Sequence, residues 1–351
     1  MPDQTATQIA PESTRMYREI GESSAAIANQ RTANAARVRE LAMILRKNPP
    51  RLIATGARGS SDNAATYAKY LFETRLGVVT MSAAPSVQSI YAAEQNLEGA
   101  LFLAISQSGR SPDLLRQADS AKQAGAPLVA MVNAEDSPLA AAADYVIPLH
   151  AGPEQSIAAT KSFLCSLSAI LHLAAEWKDD DALRAALASV PAALDQGSAA
   201  DWRSLVDGLA EANNLFVVGR GIGLTAAQEA ALKLKETCGL HAEAFSAAEV
   251  QHGPMTLVGA GFPVLFFVQD DDTRDSTLAV AAKFRARGAH VWIAGADVPG
   301  CDALPLPANL DPVCAPIVAV YRFYAAANEL AIRRGRNPDA PPHLNKVTET
   351  V

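Results

Sequence analysis

One turn in this sequence gathers hydroxyl and glycine residues suited to holding an anion, and a second is similarly rich in glycine and serine. Leu101–Asp113 reads LFLAISQSGRSPD. Its apolar start is the mark of a strand buried on both faces. Its end gathers Ser106, Gln107, Ser108, Gly109 and Ser111, and Ser111-Pro112-Asp113 is helix-start chemistry, with Ser as N-cap and Pro at the first helical position. A helix N-terminus ringed by hydroxyls is a ready anion site. For one such turn alone, an ordinary serine-rich strand-to-helix connection is the plainer reading. The second stretch, RLIATGARGSS, brings Gly59, Ser60 and Ser61 to a similar turn, where the serines would also serve as N-caps of the following helix.

Three other places carry groups able to move a proton or hold a charge. The segment AQEAALKLKE spaces Glu229, Lys233 and Glu236 along one helix. Taken alone it reads as a surface helix with an i, i+4 ion pair worth a few tenths of a kcal/mol. His252, in VQHGP, lies in a loop and reads as a solvated or capping residue. Lys346, in HLNKVTETV, reads as part of a charged tail.

The elements that must position these groups alternate between short apolar strands and amphipathic helices. After a polar tail to about Glu12, Ser13–Arg46 reads as helical, with a break near Gln30 and a stop at Pro49 and Pro50. Strands are expected at Leu52–Thr55, VVTMSA, the Leu101 run, Leu128–Asn133 and Tyr145–Pro148. Helices are expected at Asp62–Thr74, Ser86–Glu94, Asp113–Ala124 and Pro138–Ala143. A long apolar helix runs from Lys161 to about Trp177, and another, Ala182–Val190, ends or kinks at Pro191. Gln196–Ala200 reads as a linker. Such alternation indicates parallel strands joined by crossover helices.

Then the pattern restarts. NLFVVGRG repeats RLIATGARG, and KFRARGAHVWIAG repeats KQAGAPLVAMVN. Aligning Arg58 with Arg220 gives an offset of 162 and aligning Gly125 with Gly288 gives 163. Two anchors with nearly one offset indicate an internal duplication of an α/β/α sandwich of flavodoxin-like type. The expected division is a tail and helix over 1–30, a first domain over 31–195, a second over 201–335 and a tail over 336–351. At the place of the serine turn the second copy carries FFVQDDDTRDS, a poor phosphate holder because like charges repel. An accidental turn gives no reason for that asymmetry; a specialised site does.

Composition excludes several classes. The chain has 351 residues, 49% hydrophobic and 19% charged, with net charge −7. That describes a globular protein with a large core and argues against nucleic acid as the main partner. Four cysteines with no CxxC and no metal-like spacing point to free thiols in a reducing, cytoplasmic setting. No signal peptide or membrane-spanning run is expected.

GARGSS, SQSGRSPD, AATKSF, ALKLKETCGLHAEAFSAAEVQHGP and HLNKVTETV resemble the sugar-isomerase (SIS) superfamily. They are most similar to the isomerase half of glutamine–fructose-6-phosphate amidotransferase, over Tyr17–Val351. The sequence opens MPDQT, with no glutaminase domain and its N-terminal cysteine. It therefore looks like the stand-alone superfamily members that deaminate amino-sugar phosphates. Two positions depart from the synthase pattern: Arg58 where it has Cys, and Ala159 where it has a sugar-contacting Ser. The resemblance implies a parallel α/β fold of two tandem SIS domains and a substrate phosphate held by Ser61, Ser106, Gln107, Ser108 and Ser111. Amides and hydroxyls suit that dianion without a cation. It implies sugar contacts from Gly59, Ser60, Ile157 and Ala159, with Glu154 as a further wall. Glu236 would be the general base between C1 and C2, Lys233 a supporting cation, and Lys346 a tail lysine closing over the sugar. His252 would open the ring from a neighbouring subunit of a homodimer. The expected reaction converts glucosamine 6-phosphate and water to fructose 6-phosphate and ammonia, with no metal or organic cofactor. A phosphosugar isomerase, a fructosyl-amine 6-phosphate deglycase and a non-enzymatic sugar-phosphate sensor are the alternatives.

Overall fold

The computed structural model describes residues 9–196 and 202–346. Most of the expected linker, and the tail beyond Lys346, lie outside the described residues. The first half runs α1 (Arg15–Gly21), α2 (Ser23–Lys47), β1 (Leu52–Gly56), α3 (Ser60–Leu76), β2 (Thr80–Ser82), α4 (Pro85–Ser89), β3 (Ala100–Ser106), α5 (Pro112–Gln123), β4 (Leu128–Val132), α6 (Pro138–Ala142), β5 (Tyr145–Pro148), α7 (Lys161–Lys178) and α8 (Asp181–Asp195). The second half runs α9 (Arg203–Leu209), β6 (Asn214–Gly219), α10 (Leu224–Cys238), β7 (His241–Ser246), β8 (Pro263–Phe267), α11 (Arg274–Ala286), β9 (His290–Ala294), β10 (Asp302–Leu304) and α12 (Ala315–Arg333).

Each half forms a five-stranded parallel sheet. The orders are β2-β1-β3-β4-β5 and β10-β9-β8-β6-β7, so the same arrangement occurs twice. β1, β3 and β4 begin 162, 163 and 162 positions before β6, β8 and β9. Every residue of β3 and β4 is buried, as the unbroken apolar runs demand of strands covered on both faces. In this order β1 and β3 are neighbours whose crossovers leave in opposite directions. That reversal opens a crevice at the carboxyl ends of the strands, where doubly wound sheets bind ligands. Gly56 pairs with Ala104 at that end, so the turns after β1 and β3 lie side by side.

The halves share a core. α3 and α10 pack on each other, as do α7 and α12, and one apolar cluster runs from Tyr67 and Phe163 through Leu234 to Phe323. The Tyr67 hydroxyl donates across the junction to the Val313 carbonyl at 2.7 Å.

Three local expectations differ from the structure. The N-terminal helices break at Glu22, not near Gln30. Gln30 lies buried inside α2, where its amide donates to the carbonyls of Leu149 and Cys165, both at 2.8 Å. A polar residue read as a break is a bonding post on the inner face. The helix expected to reach Glu94 ends at Ser89, and Ala92 is left-handed (φ 49°), which a right-handed helix cannot include. α8 continues through Pro191 to Asp195, because Leu187, Val190, Ala193 and Leu194 bury a continuous face that outweighs the lost amide donor.

Gly109 turns the chain after β3 with φ 62°, and a Cβ there would sit 2.2 Å from Ser137 Oγ. Ser137 is itself committed as the N-cap of α6, accepting the Ala140 amide. Gly109→Ala is therefore expected to destabilise the fold by about 1–3 kcal/mol in equilibrium urea unfolding. A loss under about 0.5 kcal/mol would show that the turn is not held against α6.

Candidate functional site

The turns after β1 and β3, the end of α10 and the C-terminal tail enclose one cleft of about 440 Å³. Gly59, Ser60, Ser61, Ser106, Gln107, Ser108, Ser111, Ile157, Ala159, Lys233, Glu236 and Lys346 all line it. Of the positions singled out from the sequence, Glu154 and Glu229 stand behind this lining, bonded to Lys346 and Lys233, and His252 lies apart from it. That residue is exposed, in the turn after β7, and is not on this wall.

The serine turn is shaped by its own bonds. Ser106 Oγ accepts the Gly109 amide at 2.9 Å, closing the loop. Ser111 is the N-cap of α5, yet its hydroxyl makes no capping bond. That leaves the hydroxyl available to a ligand. On the other turn the expected serine caps are absent: Gly59 holds the N-cap position of α3 with φ 56° and ψ −130°, a conformation reserved for glycine. Ser60 Oγ instead donates to Glu229 Oε1 at 3.0 Å. The cradle is also not free of cations, contrary to expectation. Arg58 lines it, with Nε and Nη2 both donating to Asp113.

α10 is not a surface helix. Glu229 and Lys233 are fully buried against the first half, and Glu236 is the partly open end of the row. Glu229 Oε1 accepts from Ser60 and from the Tyr324 hydroxyl (2.8 Å), Oε2 accepts from Asn63 Nδ2 at 2.8 Å, and Lys233 Nζ stands 3.5 Å away. Lys233 also donates to Glu236. Burial raises the Glu229 carboxyl above its ordinary range, with Lys233 pulling the other way. For Lys233, burial opposes the charge, but Glu229 and Glu236 together prevail and raise it, so the ammonium persists. The result is a carboxylate at the cleft edge, hydrogen-bonded to a buried cation.

The opposite wall is fastened by both termini. Glu154 is buried and accepts from Ser162 Oγ (2.6 Å) and the amides of Thr160 (3.0 Å) and Ser162 (3.1 Å). Burial would raise it, but Lys346 and these donors hold it below the usual carboxylate range. Lys346 Nζ reaches Glu154 Oε2 at 3.2 Å and the Ser156 carbonyl at 2.7 Å. Glu19 of α1 binds the same loop through Ser156 Oγ and the amides of Gln155 and Ser156. Asp339 of the tail accepts the amides of Arg15 and Met16 at 2.8 Å each, so the tail caps α1 on its way to the cleft.

In the second half the turn after β8 bonds to itself, beside a cleft of about 460 Å³ lined by Gln269, Asp270 and Arg274. Gln269 Nε2 donates to the Arg220 carbonyl, Asp271 and Thr273, and Thr273 donates to Asp271. Among the described residues no group of three His, Cys, Asp or Glu could hold a metal ion, and no helix is long and apolar enough to cross a membrane.

The SIS domain family model matches residues 21–176 and 208–300. A glutamine–fructose-6-phosphate aminotransferase of Sulfurisphaera tokodaii is 33% identical over 317 residues, covering 87% of this chain and 51% of that protein. The chain spans about half the length of the curated relatives it matches. The crystal structure of a candidate phosphosugar isomerase from Silicibacter pomeroyi superposes with TM-score 0.86 at 41% identity, covering 93% of this chain and all of that one. A glucosamine-6-phosphate deaminase from Thermotoga maritima superposes with TM-score 0.77 at 22% identity, covering 96% of this chain and all of that one, a likeness of fold.

Removing Lys233 leaves Glu229 buried without its cation. Lys233→Met is expected to lower stability by about 3–5 kcal/mol, and Glu229→Gln in that background to recover part of it. Chemical denaturation of the two variants decides. No recovery in the double variant would mean that the lysine acts by packing alone.

Proposed function

The chain belongs to the SIS domain family, and on that premise we propose that it is an isomerising amino-sugar phosphate deaminase acting on glucosamine 6-phosphate. One observation carries the reading: hydroxyls and amides fit for a phosphate share a cleft with a carboxylate backed by a buried lysine. That pairs an anion anchor with a proton shuttle in one cleft.

The phosphate sits in the turn 106–111 with Ser61. Gly59, Ser60, Ile157 and Ala159 wall the sugar. Ring opening needs acid–base transfer at O1 and O5, for which an imidazole is suited. We place His252 of a second copy of this chain in that role, since its own cleft does not include it. Glu236 then takes the proton from C2 of the open aldehyde and returns it to C1 through an enolamine. This leaves an iminium at C2. Water adds there, ammonia departs, and fructose 6-phosphate remains. Lys233 holds the Glu236 carboxylate in place through its hydrogen bond. Lys346 closes the cleft over the sugar. The 41% identical relative named as a phosphosugar isomerase supports the aldose–ketose half of this chemistry as a second reading.

Incubation with a panel of 6-phosphorylated sugars, assaying ammonia and ketose phosphate together, separates the readings. Equimolar ammonia and ketose phosphate from glucosamine 6-phosphate are expected. Ketose phosphate from amine-free aldose phosphates alone would leave an isomerase and reject the deaminase. Glu236→Gln is expected to lower kcat at least ~100-fold while substrate still binds. For the shared site, His252→Ala and Glu236→Gln proteins mixed under conditions of subunit exchange should regain activity that neither has alone. Failure to complement, with exchange verified, would put His252 outside the neighbour's cleft.

A further inference from the structure

Arg58 is the cation that the proposed chemistry leaves unused. It is the last residue before Gly59, and its side chain lines the cleft together with Ser106, Gln107, Ser108 and Ser111. It is 52% exposed yet anchored: Nε at 2.8 Å and Nη2 at 2.7 Å both donate to Oδ2 of Asp113. Asp113 stands in the first turn of α5 and is itself only 1% exposed, and its Oδ1 accepts the Leu114 amide at 2.8 Å.

That carboxylate creates a conflict. The positive end of the α5 dipole attracts an anion. A buried carboxylate in the same turn repels one. Arg58 resolves it. A guanidinium presents two forked edges, and the edge formed by Nε and Nη2 is spent on Asp113. The edge formed by Nη1 and the remaining Nη2 proton has no protein partner among the described residues. Asp62, in the first turn of α3, also feels the guanidinium: burial raises its carboxyl and Arg58 draws it back.

We propose that Arg58 is the cation of the phosphate subsite, held through one edge by Asp113 while the other edge grips the substrate's phosphate and cancels the Asp113 charge. This rests on the reading of turn 106–111 as the phosphate anchor. It goes beyond that reading by making the subsite a charged clamp with an acid behind it, where hydroxyls alone were expected.

A double-variant cycle on the full chain tests the clamp, with inorganic phosphate as probe in calorimetry and glucosamine 6-phosphate in kinetics. Arg58→Gln should weaken phosphate binding and raise KM by about tenfold or more with kcat within about twofold, because an ionic fork is lost and Asp113 is bared to the anion. Arg58→Gln/Asp113→Asn should bind phosphate more tightly than Arg58→Gln, since the repelling charge is gone. Arg58→Lys keeps the charge without the fork and should fall between wild type and Arg58→Gln. Thermal melting confirms that each variant is folded, and Arg58→Lys stands in should Arg58→Gln fail to fold. Phosphate affinity within twofold of wild type in Arg58→Gln or Arg58→Lys would overturn the clamp. So would a double variant no tighter than the single. Wild-type protein that binds phosphate through Arg58 but releases no ammonia would reject the deaminase and leave the clamp standing. Wild type that does not bind phosphate would reject the subsite itself.

Discussion

The buried carboxylate of Glu229 sets the distance between the two working walls of this molecule. It sits on α10 of the second half, but three of its partners lie elsewhere: Ser60 and Asn63 at the start of α3, and Tyr324 on α12. The turn that presents Arg58, Gly59 and Ser61 is therefore tied to the helix that presents Glu236, two turns further along. In the reading proposed above, the phosphate wall and the proton-accepting wall keep a fixed spacing because of this tie. A charge buried this deeply tolerates displacement poorly, because any loosening leaves it unpaired in a medium of low dielectric. Lys233 completes the arrangement by serving both carboxylates at once, and so transmits the register of the junction to the group at the cleft edge.

Much of this was legible in the residues. The apolar runs of β3 and β4 and the recurrence at offsets of 162 and 163 announced two parallel sheets, because buried parallel strands and their crossover helices leave a strong periodic mark. The serine turn could be placed at a strand-to-helix connection by its hydroxyls, and the structure puts it on the cleft. What stayed hidden was tertiary. Nothing in AQEAALKLKE shows that Glu229 and Lys233 face another domain rather than water, since i, i+4 spacing is common to both cases. Gln30 looked like a helix break because burial, with the carbonyls of Leu149 and Cys165 waiting for it, is not written locally. Arg58 was noted as a departure from the synthase pattern, but its partner Asp113 lies 55 positions on and looked only like a helix-start residue.

The asymmetry between the halves has a physical content beyond the change of residues. Both sheets reverse their winding at the same point and so both open a crevice there. In the first half, the Ser111 hydroxyl makes no capping bond and one edge of Arg58 has no partner among the described residues. In the second half Gln269, Asp271 and Thr273 bond to one another and to the Arg220 carbonyl. A binding site is a place where the fold leaves donors unspent, and a structural turn is one where they are spent internally. The same topology accommodates both outcomes because the turns lie outside the hydrogen-bonded ladder that holds each sheet together.

The three cations on the cleft obey one rule. Each is backed by a carboxylate that is at most 1% exposed: Asp113 behind Arg58, Glu229 behind Lys233 and Glu154 behind Lys346. A chain of net charge −7 thus places three cations on one cleft, each paired with an acid. The acids hold flexible side chains in place before the ligand arrives, so little reorganisation remains to be done when charge develops at the sugar. The arrangement has a consequence for how the acids act. Neutralising one adds positive charge to the cleft, which by Coulomb attraction alone would favour a phosphate. Where it also releases a cation from its aim, positioning and net charge pull in opposite directions. For Lys346, the cation with the longest free approach, Glu154 and the Ser156 carbonyl are its two anchors, and Glu19 holds the loop that carries the second. There the geometry favours positioning, since a lysine without its carboxylate keeps its charge but loses its address.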